Sequence, residues 1–306
     1  MALSATRLDD ASVGAFARSL EHIEAKILEK KYPQLKFAEG LVVPIEYTPG
    51  IEWAETVTYR MISGVGQFEL ARDYTNTVPM VDILSEEFTQ KVFKYIGGYY
   101  YSEEEAYKAV KLNMPLEDQK VSLVRRVAMQ TMNRLIAFGD KASGQHGFIN
   151  HPAWLRSYAA FKLNSSSTSA ECLAVLNGAV TSVITITKGM EEPNTLLMPY
   201  EQFEYLTTTR LDNAVDGKTI MKQYMENQPH IKDVQPLNEL KGAGPNGEDV
   251  MIVYKRDPEC VKARITDAFR FRNLEQKPFG YERPAAFKIG GIVPYIPYSV
   301  HVLVGI

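Results

Sequence analysis

The side chains in this chain that could do chemistry are few and scattered. Gly242-Ala-Gly244-Pro-Asn-Gly247 matches Gly-x-Gly-x-x-Gly letter for letter. A dinucleotide site needs a strand before such a loop and a helix after it, so that backbone N–H groups meet the pyrophosphate. Here a strand-like run, Val250 to Arg256, follows the loop, and Pro245 removes a backbone donor. The segment reads as a surface turn. His146 and His151 flank Gly-Phe-Ile-Asn, but a zinc site needs three or four ligands at a set spacing. The chain has no His-Glu-x-x-His and no paired Cys, and His22, His230 and His301 are scattered. Loop histidines that bond backbone are the simpler reading. There is no Gly-x-Ser-x-Gly nucleophile elbow. Cys260 stands near Asp257 and Glu259 with no activating base, so it reads as a half-buried thiol. Glu103, Glu104 and Glu105 point around a helix and cannot converge; they suit a solvated first turn. Arg125, Arg126 and Arg134 read as partners of nearby carboxylates. No catalytic, cofactor-binding or metal-binding constellation emerges, which favours a structural role.

Composition narrows the classes further. A net charge of −3 and a pI near 6.0 leave no broad basic surface for phosphate contact. A specific nucleic-acid binder is therefore not expected. Cys172 and Cys260 cannot build a disulfide framework, so a reducing compartment is the default. The charged first thirty residues do not look like a secretory signal. Asn164-Ser-Ser fits a glycosylation acceptor but means little without secretion. Two uncharged runs fail as membrane spans. Cys172 to Thr187 is too short, and Ile289 to Ile306 contains Pro294 and Pro297. The first reads as a buried helix, the second as buried strands.

The elements that would position these residues start with a charged helix, Leu8 to Lys31. Phe16, Leu20, Ile23, Ile27 and Leu28 form its narrow apolar stripe. Such a stripe docks on the body of its own chain or on a neighbour. Phe37 to Glu46 is extended. Trp53 to Ile62 alternates, with Trp53, Val57, Tyr59 and Met61 on one face; Ser63-Gly-Val-Gly66 and a returning strand, Gln67 to Tyr74, complete a hairpin. Two strands alone are marginal in water, so the hairpin needs a sheet or another subunit. Val78–Leu84 and Phe88–Tyr101 are β-like, and Ser102-Glu-Glu-Glu105 opens a short helix to about Leu112.

A long amphipathic helix follows over 117–138, between Pro115 and Gly139. At about 1.5 Å per residue it is a rod of about 33 Å. Val121, Val124, Ala128, Thr131, Leu135 and Phe138 share one face. Beyond the polar link Asn164–Ser169 come a helix (Ala170 to Lys188), a strand (Thr195 to Pro199) and two helices (Tyr200 to Thr208, Gly217 to Asn227). Strands at Ile231–Leu237 and Val250–Arg256 complete an α/β unit. The tail from Ala286 to Leu303 is again β-like.

This order of parts resembles the major capsid proteins of tailed phages with the Hong Kong 97-type fold. The resemblance covers nearly the whole chain. It is carried by Val78-Pro-Met-Val-Asp82, by Gly98-Tyr-Tyr-Tyr-Ser-Glu-Glu-Glu105, and by Asn133-Arg-Leu-Ile-Ala-Phe-Gly-Asp140 with Gly144-Gln-His-Gly-Phe-Ile-Asn150. It implies an α+β fold with an N-terminal arm (1–45) and an extended loop over a neighbouring subunit (46–77). It implies a peripheral domain with the long spine helix (78–164 and 276–306) and an α/β axial domain (165–275).

The expected function is a non-enzymatic subunit that assembles into the icosahedral head shell of a tailed bacteriophage, around packaged DNA. The expected partners are further copies, as hexamers and pentamers, with a portal, a separate scaffolding protein and a cement protein. No cofactor and no membrane are expected. Assembly is expected in the host cytoplasm and residence in the virion capsid. No Lys lies between Gly50 and Gln90, so an isopeptide cross-link from the extended loop is chemically unavailable. Trp53, Tyr59, Arg60, Phe68, Arg72 and Tyr74 are the expected inter-subunit contacts, since large aromatic and Arg side chains anchor interfaces. Three alternatives stay open: an encapsulin-type nanocompartment, a soluble α/β enzyme with an unrecognised site, and a tail or adaptor component.

Overall fold

The computed structural model describes residues 33–48, 50–68, 80–111, 116–212 and 217–306. The expected helix at 8–31 lies outside the described residues, as do Arg72 and Tyr74. Residues 35–306 form one compact unit. Its elements are β1 (Ile45–Tyr47), β2 (Thr56–Val65), β3 (Asp82–Lys91), β4 (Phe93–Ser102), α1 (Glu103–Lys111) and α2 (Leu116–Phe138). Then come β5 (Gly139–Asp140), β6 (Gln145–His146), β7 (Leu155–Tyr158), α3 (Ser169–Ile186), β8 (Thr195–Met198), α4 (Tyr200–Thr208), α5 (Ile220–Asn227) and β9 (Asp233–Pro236). The chain ends with β10 (Val250–Tyr254), β11 (Val261–Phe271), β12 (Glu275–Lys277), β13 (Gly280–Pro294) and β14 (Val300–Val304).

Two five-stranded sheets carry the body. In the first, the order is β1-β11-β13-β12, with β4 also paired to β13. In the second it is β7-β14-β10-β8-β9. All five residues of β10 are buried, and they alternate between two cores. Val250, Ile252 and Tyr254 join a core with Met132, Leu135, Ile136, Phe148 and Trp154. Met251 and Val253 join a second core with Cys172, Leu176, Val180, Ile220 and Tyr224. Side chains of a strand alternate between faces, so a strand covered on both faces must be apolar throughout. α3 is long and apolar enough to cross a membrane by length and composition. Here its buried face covers the second sheet. Thr168 caps it with Glu171 in a reciprocal capping box.

Helix α2 is continuous, as the periodicity predicts, but its burial is uneven. Arg125, Leu123 and Val127 are exposed along its first half, whereas Met132, Asn133, Leu135, Ile136 and Ala137 are buried along its second. Arg134 is exposed and Arg126 is half-buried. The apolar face widens because the segment after residue 34 and the turn after the helix both wrap its end. Asn133 Oδ1 accepts hydrogen bonds from the backbone N–H groups of Phe37 (3.0 Å) and Ala38 (3.2 Å), and Nδ2 donates to Glu239 (2.9 Å). The helix ends in a backward turn. Phe148 N–H donates to Ile136 O and Ile149 N–H to Ala137 O, while Asn150 bridges Phe138 O and Gly147 N–H. These bonds satisfy carbonyls that every helix end leaves unpaired.

Three sequence expectations need correction. The strand that pairs with β2 is β3: Thr56 faces Lys91 and Val65 faces Asp82, ten residues in register; of the expected returning strand Gln67–Tyr74 only Gln67 and Phe68 are described, and neither is in a strand. The short glycine loop looked like the turn, yet Gly64 and Val65 continue the strand. Each doubling of loop length costs only about 0.6 kcal/mol. Against that, Tyr59–Phe88, Thr58–Thr89 and Arg60–Glu87 are matched cross-strand pairs of the stabilising kinds. The two-stranded ribbon therefore runs from Thr56 to Lys91. Second, β11, expected within the α/β unit that ends at 275, pairs with β1 and β13 in the first sheet. Its long run of alternating charged and apolar residues went unread as a strand. Third, the C-terminal tail divides: β13 joins the first sheet and β14 the second. Pro294 and Pro297 between them allow the chain to leave one sheet and enter the other.

Candidate assembly interface

The ribbon β2–β3 belongs to neither sheet. Ten residues at about 3.3 Å each give it a length of about 33 Å. Its outer part exposes apolar groups on both strands: Met61, Ile62 (72% exposed), Val65, Ile83 and Leu84. Met80, Val81 and Phe68 (95% exposed) extend this surface beyond its end. Single exposed apolar side chains are ordinary, but a contiguous group of this kind marks an interaction surface.

The root of the ribbon, by contrast, is fastened to the first sheet. Tyr59 stacks on Phe88 (ring centroids 5.4 Å apart) and meets the edge of Tyr295 (5.2 Å). Gln90 Nε2 donates to Ile292 O at 2.8 Å, and Lys288 Nζ donates to Glu52 O at 2.6 Å. Behind Tyr295 lies a charged knot. Lys262 sits 4.8 Å from the Tyr295 ring centre and 2.9 Å from Glu46, which also meets Arg264 at 3.4 Å. Arg264 Nη2 donates to the Tyr295 hydroxyl at 3.1 Å. A glycine makes room here: a Cβ on Gly291 would stand 2.8 Å from Gln145 Nε2 and 3.2 Å from Gln90 Nε2. Its φ of +87° also disfavours any other residue.

Of the expected contact residues, Trp53 is 79% exposed just before the ribbon, its indole N–H on Gly50 O at 3.1 Å. Arg60 is exposed and paired with Glu87 at 2.7 Å. Tyr59 is half-buried in its own chain at the root. Trp53, Phe68 and the outer ribbon are thus free surface, while Tyr59 holds the ribbon to the body. Sequence reading missed Glu46, Gln90, Lys262, Arg264 and Tyr295. The alternation in Val261-Lys-Ala-Arg-Ile265 was the available signal, since it places two cations on one face of a strand.

The knot is acid-sensitive in one direction. Burial alone would raise the Glu46 carboxyl, but hydrogen bonds and charge from Lys262 and Arg264 outweigh it and hold the pKa below 4.5. A depressed carboxyl stabilises the fold fully above its unfolded value, and that contribution is lost as pH falls through the folded one. Protection from hydrogen exchange at residues 56–59 and 88–92, measured relative to the intrinsic rate at each pH, is therefore expected to fall below pH 4.5 before the body unfolds. Glu46→Gln should lower that protection already at neutral pH and remove its acid dependence. Protection at the root that stays constant with pH in the wild-type protein would refute this role for Glu46.

The other chemistry-bearing residues are satisfied structurally. Burial and the nearby charges of His146 and Arg156 lower the His151 pKa to about 4, and its ring packs on Trp154. His301 is buried between Ala179 O (3.1 Å) and the Ser157 hydroxyl (2.7 Å). Burial pushes the Cys260 thiol up to about 12, opposite to an activated nucleophile. Glu105 pairs with Lys120 at 2.8 Å. The Gly242–Gly247 loop is a turn, with Gly242 N–H on Asp249 Oδ1 and Gly244 N–H on Glu248 O. Among the described residues no three His, Cys, Asp or Glu side chains converge as a metal site would need.

The profile of the family described as "Major capsid protein" matches residues 66–306. The chain belongs to that family. Solved structures share its fold at low identity. The capsid of Myoviridae phage XM1 superposes with a TM-score of 0.82 at 18% identity, over 95% of this chain and 98% of that one. Mycobacterium phage Bobi gives 0.64 at 14%, over 96% and 98%. The capsid of cyanophage P-SCSP1u gives 0.59 at 12%, over 93% and 92%. No curated protein matches the chain. The capsid protein thus has the Hong Kong 97-type fold expected from its sequence, and as a member of its family it is a structural subunit of a capsid. The ribbon and its knot are accordingly features of a protein that assembles with copies of itself.

Proposed function

We propose that this capsid protein builds a closed icosahedral shell around packaged DNA, as hexamers and pentamers, and that the ribbon β2–β3 is its principal reach onto a neighbouring copy. One observation carries this reading. A two-stranded ribbon about 33 Å long, apolar over its outer part and outside any sheet, is marginal alone in water. A closed shell supplies the missing surface, because every copy presents the same complementary patch to the next. Trp53, Arg60 and Phe68 are proposed as contacts on the neighbour, with Arg72 and Tyr74 in the same role. Tyr59 acts by holding the ribbon at its root.

The division into arm (1–45), peripheral body and axial body is likewise proposed. The ribbon through Lys91 forms the extended loop, and the second sheet with α3, α4 and α5 forms the axial body. The redrawn loop carries a single Lys, Lys91 at its root, and none between Gly50 and Gln90, so its outer part offers no isopeptide donor and the shell is held by non-covalent contacts or by a cement protein. A portal and a separate scaffolding protein complete the proposed partners, and assembly takes place in the host cytoplasm before the protein resides in the virion.

Electron microscopy of the purified protein tests the reading. Closed icosahedral particles wide enough for a genome are expected. Rings, tubes or a persistent monomer would exclude the shell, and a small shell filled with a protein cargo would point to a nanocompartment.

A further inference from the structure

The face of the first sheet that looks away from α2 is covered at one end and open at the other. The covered end lies under the chain's own ribbon root, where Tyr295 meets Tyr59 and Lys288 Nζ donates to Glu52 O. Towards the open end, β4 and β13 pair Lys94 with Lys288, Ile96 with Ala286, Gly98 with Pro284 and Tyr100 with Glu282. Strand side chains alternate, so Lys94, Ile96 and Tyr100 share this face. Tyr95 and Tyr99 turn to Phe287 and Phe271 on the other. A groove of about 480 Å³ runs here between Lys94, Ile96, Tyr100 and Arg272. Its floor is low because Gly98 has no room for a side chain: a Cβ would stand 2.6 Å from Arg283 O. Ile96 is 80% exposed, so the chain's own ribbon does not cover the groove. Among the described residues Lys94 and Arg272 have no carboxylate partner, and the acid of the lining, Glu282, is held by Lys277 at 3.5 Å.

The outer ribbon carries the matching pattern. The face that Tyr59 and Phe88 turn towards the sheet continues outward, every second residue, through Met61 and Val65 on β2 and through Glu86, Leu84 and Asp82 on β3. Met61, Val65 and Leu84 are exposed. Asp82 and Glu86 have no cationic partner among the described residues, whereas Glu87 on the opposite face is held by Arg60. The spacing agrees as well. Lys94 is level with Lys288, and Arg272, whose N–H donates to Pro284 O, is level with Pro284. Four residues along β13 separate those levels by about 13 Å, and four residues separate Asp82 from Glu86 along β3.

We propose that this groove receives the outer ribbon of a second copy, with Met61, Val65 and Leu84 laid over Ile96, and with Asp82 and Glu86 paired to Lys94 and Arg272. The proposal rests on the reading of the ribbon as the reach onto a neighbour. It adds the face on which the ribbon lands and the charges that fix its register. One face of the ribbon is then used twice: its root on its own sheet, its outer half on the same sheet of the next copy.

The test is charge reversal in the full-length protein, since all four charges are exposed. Lys94→Glu with Arg272→Glu, and separately Asp82→Lys with Glu86→Lys, should melt as the wild type does. Each pair should need at least about a tenfold higher concentration to form shells, because like charges then face each other at two points. All four substitutions in one chain should bring shell formation back towards the wild-type concentration. The assignment is overturned if either pair leaves that concentration unchanged, or if the combined variant assembles no better than the pairs. A cryo-EM map of wild-type shells reads the contact without any variant: a neighbour's β3 should cross Ile96, and a ribbon seated on any other surface overturns the assignment. Normal shells from a folded chain lacking residues 61–86 would instead refute the ribbon reading, and this contact with it. Loss of shells in that chain alongside unimpaired charge-reversed variants would remove the groove contact alone.

Discussion

Replacing residues 61–86 by Asn-Gly should leave a folded, soluble capsid subunit that no longer builds shells. The cut removes the outer ribbon and rejoins Arg60 to Glu87, which already face each other in register. A two-residue Asn-Gly turn matches the twist of antiparallel strands. The root keeps its Tyr59–Phe88 stack, the contact with Tyr295 and the Gln90–Ile292 hydrogen bond. The expected effect is large. Covering a Val, Leu, Ile or Met side chain contributes about 1.5–3 kcal/mol. Met61, Ile62, Val65, Ile83 and Leu84 are 36–72% exposed, so covering what they still expose contributes roughly 4–8 kcal/mol per ribbon. Association costs about 4–15 kcal/mol in lost freedom, so removing this area turns assembly from favourable to unfavourable. Sedimentation and electron microscopy read the outcome. Normal shells from a well-folded truncated protein would show that the ribbon is not the principal contact. Deleting only 51–76 would be a poorer test, because it removes β2 and leaves β3 without its partner.

The largest stability effect is expected from Gly147→Ala. A Cβ at Gly147 would stand 2.4 Å from the backbone of Phe138 and from Gly139 N, and none of these atoms can swing aside. Opposite it, a Cβ on Gly139 would stand 2.1 Å from Gln145 O. The two glycines let the chain double back onto the last turn of α2, where Asn150 and the Phe148 and Ile149 amides satisfy its carbonyls. Forcing the strands of this turn apart breaks that pairing and opens the core around Phe148 and Ile136. A loss of at least about 4 kcal/mol is expected, the range reached when packing and buried hydrogen bonds fail together. In a domain of this size that lowers the melting temperature by roughly 8–16 °C. Gly144→Ala is the control. Gly144 has φ +71° but nothing within 4 Å, so it carries only the left-handed backbone cost of about 1–2 kcal/mol. Equal melting temperatures for the two variants would contradict this account of the helix end.

Much of the architecture was legible because it depends on local signals. The 3.6-residue period and the flanking Pro115 and Gly139 marked α2 within one residue of its observed start. The helix expected at Tyr200–Thr208 has those bounds in the structure. The glycine-rich motif at 242–247 was correctly set aside because a strand follows it. Ribbon pairing was not legible in the same way. Choosing Asp82–Lys91 over Gln67–Tyr74 depends on cross-strand matches read over sixteen intervening residues, and a short glycine loop imitates the nearer solution. Burial around α2 was underestimated because the period reports one apolar face. It does not report two further segments that wrap the end of the helix.

By itself the sequence determined the class of the protein: an α+β chain with a long central helix and an aromatic-rich extended segment. Period, caps and charge are local, and each residue carries its share of them. The tertiary structure alone decided which strands share a sheet, and therefore that Lys262, Arg264, Glu46 and Tyr295 meet beneath the ribbon. It also decided that Gln202 Oε1 and Glu248 Oε2 are buried without a hydrogen-bond partner. Glu46 and Tyr295 are far from Lys262 and Arg264 along the chain, and no local propensity couples them; the pairing of β1, β11 and β13 within the first sheet brings them within bonding distance.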